Sequence, residues 1–212
     1  MGKNKTGEVS SSQSAGRTAP KRLVTRQNKI EALRAAYVAD STLCRWSSGV
    51  PMFGQGVATD PRVAFVVMAP TRYDVEQANR FMGGRESVVF NDMLATLGMN
   101  RSEVYVTALC KWATPEHRIT EAPIAIQRAL SLMAEELSLV NPRNVVTLGR
   151  TISELFIPGI NMVQDHGHVV EGHRCNYVPM YHPASALVNR DIAHALLTNT
   201  AQLNHIVGKV DG

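Results

Sequence analysis

Four short apolar runs alternate with four stretches of helical period along this chain. Residues 63–68, 104–109, 145–148 and 177–181 are continuous apolar segments, the mark of strands buried on both faces. Ile30, Leu33 and Tyr37 predict a helix over 28–40, and a second covers 86–97 and stops at Gly98. Ile126, Leu130, Met133, Leu137 and Val140 step by four and three, which predicts a third. Thr120 can cap it, and Pro123 is tolerated in its first turn. Gly167 and Gly172 punctuate a hairpin before the last strand, and Ile192, Leu196, Leu203 and Ile206 mark a closing helix. Strand, helix, strand, helix, strand in that order implies an α/β fold with a parallel sheet covered on both faces.

Residues 1–25 are rich in Ser, Gly, Thr and Lys without apolar period, which predicts a disordered basic tail before a single domain over 26–212. Seven of the 22 basic residues but one of the 18 acidic ones lie in residues 1–30, so that segment carries +6 and the remainder −2. Such a tail suits phosphate neutralisation on a nucleic acid, and solubility alone also accounts for it. Apolar content of 44% and charged content of 19% fit a globular protein. The absence of a long apolar run argues against a membrane span, and the polar N-terminus points to the cytoplasm. Cys44, Cys110 and Cys175 are an odd, widely spaced set, which disfavours a disulfide framework or a thiolate metal site.

Candidate chemistry gathers where the predicted strands end. The final strand delivers His182 to its C-terminal end, and Pro183 forbids further ladder pairing. Ligands of open α/β sheets bind in the crevice beyond the strand C-termini. An imidazole there can donate a hydrogen bond to charge on a leaving group; it can equally be a capped loop histidine. After the first strand come Met68-Ala69-Pro70-Thr71-Arg72-Tyr73-Asp74 and then Phe81-Met82-Gly83-Gly84; after the second comes Cys110-Lys111-Trp112 through Arg118. An aromatic face, a carboxylate and an imidazole together suit cleavage of a planar base from a sugar.

These motifs, in this order, resemble the uracil-DNA glycosylase superfamily and most closely its family 4. That family reads GEAPG, PFVG, VYITN-x-x-KCRPP-x-NR, a helix, LG and HPS. The matching text here is Met68-Ala69-Pro70-Thr71, Arg80-Phe81-Met82-Gly83, Val104-Tyr105-Val106-Thr107-Ala108 with Lys111 and Arg118, Leu148-Gly149 and His182-Pro183-Ala184. Gly54-Gln55-Gly56 and Gly98-Met99-Asn100-Arg101 also fit. The resemblance implies a three-layer α/β/α sandwich around a central, mainly parallel four-stranded sheet. It implies that Phe81 stacks on the base, with Met68, Ala108 and Tyr73 beside it, and that His182 is catalytic. It places Ser185, Leu187, Asn189 and Arg190 in the loop that enters DNA at the flipped-out base, Leu187 being a wedge or a plain packing leucine. Lys111 and Arg118 are expected to meet phosphates.

Departures from the family sharpen the expectation. Met68 stands where family 4 has a glutamate, which leaves Asp74 for electrostatic or water-orienting work, unless it is only a turn aspartate. Ala108 replaces the asparagine that reads uracil, so plain uracil is expected to be a poor substrate and a larger base preferred; Asn91 could compensate with its amide. Of four cluster cysteines only Cys44 remains: Ser41 and Trp112 stand at two positions and the region near Ile126 holds none, so no iron–sulfur cluster is expected. Asp165, His166, His168, His173 and Cys175 permit chelation without demanding it, and no metal or other cofactor is expected. The resulting expectation is a monofunctional DNA glycosylase, monomeric, acting on a bulky modified pyrimidine, for instance in defence against phage with hypermodified DNA. Uracil or deaminated-base repair, and a DNA-binding member without chemistry, are the alternatives.

Overall fold

The structure, a computed structural model, describes residues 18–46, 49–113 and 122–207. Helix α1 (Thr18–Ala39) leads into strand β1 (Gln55–Gly56) and strand β2 (Val63–Val67). A single π-turn over Asp74–Ala78 precedes α2 (Ser87–Thr96), followed by β3 (Tyr105–Ala108), α3 (Pro123–Val140) and β4 (Asn144–Leu148). Helices α4 (Arg150–Phe156) and α5 (Met162–Asp165) then precede the hairpin of β5 (Val170–Glu171) and β6 (Asn176–Met180). Helices α6 (Pro183–Ala186) and α7 (Arg190–Val207) close the chain. The sheet order is β1-β3-β2-β4-β6-β5. Its four central strands are parallel, and two-residue antiparallel strands cap both edges, so the sheet has six strands where four were expected.

Strand alternation sends successive residues to opposite layers. Val63, Phe65 and Val67 join Val106, Ala108, Val146 and Leu148 in a core closed by α2 and α7. Val66 and Val145 face the other layer, where Leu33, Tyr37, Met133 and Ile152 pack from α1, α3 and α4. The result is the three-layer α/β/α sandwich. All four strands of the parallel block are buried along their central residues, which is why they read as unbroken apolar runs.

Helix α1 begins at Thr18, so residues 18–25 are helical and not part of a disordered tail. Arg26 and Gln27, both good helix formers, carry this helix into the stretch predicted from Asn28. Arg26 ties the extension to the body through an ion pair with Asp60 at 3.0 Å. Helix α3 starts at Pro123 as expected, while Thr120 lies outside the described residues. His166 caps α5 and is buried, whereas His168 is exposed, so the two do not lie side by side on a strand. No helix among the described residues is long and apolar enough to cross a membrane.

Candidate functional site

His182 is the last residue before α6 and takes an extended conformation there, with Pro183 at the first helical position. Its Nδ1 accepts the Ala184 N–H at 3.2 Å. An imidazole that accepts at Nδ1 carries its neutral proton on Nε2, so the chain fixes the tautomer and leaves Nε2–H free to donate. Burial pulls its pKa below the usual imidazole value, and the negative charges of Glu86 and Asp74 oppose that shift. The neutral donor is thus the dominant form at neutral pH. Gly149 lies beneath it: φ is +111°, and a Cβ there would sit 3.7 Å from that of His182. The glycine lets β4 turn away under the imidazole.

The segment after β2 is tied down from several sides. Asp74 is 3% exposed, and its carboxylate accepts the Thr71 N–H at 2.9 Å and the Gly83 N–H at 2.6 Å. Thr71 Oγ1 returns the bond by accepting the Asp74 N–H at 3.1 Å, a reciprocal pair like a capping box. Arg101 donates to the carbonyls of Phe81 and Met82 at 2.8 and 2.9 Å and lies over the Phe90 ring. Gln55 accepts the Phe81 N–H and donates to Asn79 O. These tethers hold Asn79 and Met82 at φ of +46° and +49°, a conformation that side-chain-bearing residues keep only when their surroundings enforce it. Gly83 must be glycine, because a Cβ would come within 2.1 Å of Ala78 Cβ. Sequence reasoning gave Gln55 and Arg101 no role. Their signal was present only as motif text, since nothing in composition marks a residue that binds a distant carbonyl.

Phe81 is 1% exposed and Ala108 0%, so neither presents an open face in this arrangement; both belong to the core beneath the strand ends. Met68 and Tyr181 are half-buried, and Tyr73 is 53% exposed beside the π-turn. Asn91 is exposed on α2, and its side-chain carbonyl accepts from Arg101 Nε at 2.9 Å. It is a clamp for Arg101, away from the buried strand end where a substitute amide was expected.

Lys111 corrects the expectation most directly. It is fully buried and cannot meet a phosphate. Its Nζ lies 2.6 Å from Glu136 of α3, donates to Thr107 Oγ1 and Ala108 O, and sits over the Tyr37 ring. Tyr105 and Thr107 hydroxyls both donate to Glu136 as well. Burial pulls the Lys111 pKa down and Glu136 opposes it, while burial pushes the Tyr37 and Tyr105 hydroxyls up. The network braces the end of β3 from below. Arg118 lies outside the described residues.

Beyond α6, Leu187 is 43% exposed and Val188 88%. Asn189 caps α7 by accepting the Asp191 and Ile192 N–H groups, Ser185 is half-buried, and Arg190 is exposed. An exposed apolar pair thus projects between two helix starts beside His182.

The place of a family-4 cluster is occupied by core. Trp112 and Ile126 are 4% and 7% exposed and pack with Leu43 and Ala125, whereas Cys44 is exposed and its thiol donates to Ser41 O. A single thiol at the family's four ligand positions, Cys44, does not fit an iron–sulfur group. Among the described residues no group of three or more His, Cys, Asp or Glu side chains is placed to hold a metal. His166 is instead a packing residue: its Nδ1 accepts the Tyr181 N–H, and burial lowers its pKa.

A doubly covered parallel sheet with a fixed imidazole at its carboxyl edge matches the class that the ordered motifs implied. The uracil DNA glycosylase superfamily model matches residues 53–204, most of the chain, and the chain belongs to that family. It is 24% identical over 156 residues to a type-4 uracil-DNA glycosylase of Archaeoglobus fulgidus, covering 69% of this chain and 77% of that protein. It is 28% identical over 185 residues to a type-5 uracil-DNA glycosylase of Pyrobaculum aerophilum, covering 79% and 78%. A DNA polymerase of Bacillus phage SP01 is 27% identical over 140 residues, covering 65% of this chain and 15% of that protein.

Proposed function

We propose that this protein is a monofunctional DNA glycosylase that hydrolyses the N-glycosidic bond of a flipped-out base and leaves an abasic site. The enzyme class follows from family membership, and the relatives named uracil-DNA glycosylase support DNA as the partner. The observation that carries the chemistry is the tautomer of His182. With Nδ1 occupied by Ala184 N–H, Nε2–H can hydrogen-bond the base oxygen that gains charge as the bond to C1′ breaks. A neutral donor serves this purpose, and burial keeps it neutral. Leu187, with Val188 beside it, would fill the space that the extruded nucleotide leaves.

The substrate we favour is a pyrimidine bearing a bulky modification, and attack on modified phage DNA is a setting that fits. Ala108 supports this reading, since a methyl where family 4 has an amide removes a uracil-specific hydrogen-bonding group. Because Phe81 has no open face, such a base would enter only with a shift of the Met82 turn. A second reading, DNA binding without chemistry, is favoured by Met68 at the family's acid position and by the engagement of Asp74 with backbone N–H groups. Incubation with uracil-containing, hypoxanthine-containing and glucosylated phage DNA, followed by alkali, separates these readings. Strand breaks that disappear in His182→Ala support catalysis. Tight binding without breaks on every DNA favours the binding protein.

A further inference from the structure

Asp74 is the acid that the sequence offers for the missing glutamate, yet its two oxygens each accept a backbone N–H. It is spent on shaping the turn. Another carboxylate stands nearby. Glu86 is half-buried at the start of α2, directly after the Phe81–Gly84 turn. Its Oε1 accepts the Gly84 N–H at 3.2 Å, whereas its Oε2 has no hydrogen-bond partner among the described residues. The crossover connection from β2 to β3 puts the first turn of α2 at the carboxyl edge of the sheet, the edge to which β6 delivers His182. Helices α2 and α6 pack against each other there. Gly84 leaves room for the carboxylate, since a Cβ at that position would approach Oε2 to 2.8 Å. Of the two acids that act on the His182 imidazole, Glu86 has the larger effect. Burial and the neighbouring Arg80 charge lower the Arg101 pKa, and Asp74 and Glu86 oppose that shift.

The geometry points to Glu86 as the catalytic carboxylate of this site, supplying the charge and proton acceptor that the family places one motif earlier in the chain. Asp74 is then a positioning residue. This assignment deepens the glycosylase reading and rests on it. As the C1′–N bond breaks, its electron pair leaves with the base, and His182 Nε2–H donates a hydrogen bond to the resulting anion. The unengaged Glu86 oxygen faces the positive charge building on the sugar. A water oxygen then bonds to C1′ and gives its proton to Glu86. That proton passes through solvent to the base, so sugar hydroxyl and neutral base are the products.

The test uses the full chain and the DNA that wild type cleaves best. Glu86→Gln, which keeps size and the Gly84 contact, should lower kcat about 100-fold or more with KM within a few fold. Glu86→Ala should lose as much and regain turnover when formate is added, because a small carboxylate can occupy the vacated space. Thermal melting is the check that both variants fold. A Glu86→Gln protein with wild-type kcat overturns the assignment, as does loss in Glu86→Ala that formate leaves untouched. Wild type inert on every DNA tested overturns the glycosylase reading itself, and this assignment with it.

Discussion

Protonating His182 would cost it the bond that aims it, because an imidazolium has no lone pair left to accept the Ala184 N–H. Burial holds the folded pKa below the unfolded value near 6.5, so the neutral ring persists into mildly acid solution. Below the folded pKa, kcat should fall with an acid limb that belongs to this ring, and a pH–rate profile on single-turnover cleavage checks it. His182→Ala should lower the rate by at least about 100-fold, the usual scale for losing a positioned proton donor. The same burial has a stability consequence, shared with His166, whose pKa is also lowered. Between the two pKa values the unfolded chain binds more protons than the folded one, so stability is full above about pH 6.5 and declines as pH falls through that window. Melting temperature measured from pH 7.5 to 5 should drop, and replacing His166 by Phe should flatten the curve. Lys111 teaches a related lesson. Next to a predicted strand end it looked like a surface cation, but Glu136 lies on the buried stripe of α3 with Ala129, Met133 and Val140. An acid on that stripe is a sequence signal for a buried cation, and only the fold says which one.

At the scale of elements, the turn between the π-turn and α2 rests on Asp74, Arg101 and Gln55. Arg101→Met would release two carbonyls held by a charged donor, and bonds of that kind contribute about 1.5–3 kcal/mol each. Urea unfolding should show a loss of about 3 kcal/mol or more, and catalysis should fall further than stability because the turn carries Phe81 and precedes Glu86. The β3 brace makes a sharper case. Lys111→Met strands a buried carboxylate and should destabilise by about 3–5 kcal/mol, whereas Lys111→Met with Glu136→Leu should recover much of that loss. Strands and long helices were legible from periodicity, because burial on both faces writes itself as unbroken apolar runs. Helix α5, strand β1 and the π-turn were not, since each is short and held by polar bonds that leave no apolar period, such as those of Asn161 with Val163 N–H and Asp165. The site was half legible: the motifs located His182 and the Phe81 turn, while Gln55 and Arg101 act over 26 and 20 residues of chain separation on backbone carbonyls and amides.

For the whole molecule, the exposed Leu187–Val188 pair sits between α6 and α7, on the same edge as His182. Leu187→Ala should slow cleavage of duplex DNA several-fold and spare single strands, where no gap has to be filled; parallel assays on both forms read this out. One more property follows from the way the Met82 turn is secured. A loop fastened by a carboxylate, a guanidinium and an amide from separate places in the chain does not drift under mutation; it keeps its shape until a fastening fails. Efforts to redirect such a protein to another base therefore belong at Met68, Tyr73 and Tyr181, which border the strand ends and take no part in those fastenings. Randomising Gln55, Asp74 or Arg101 would scramble the frame before any new preference could register.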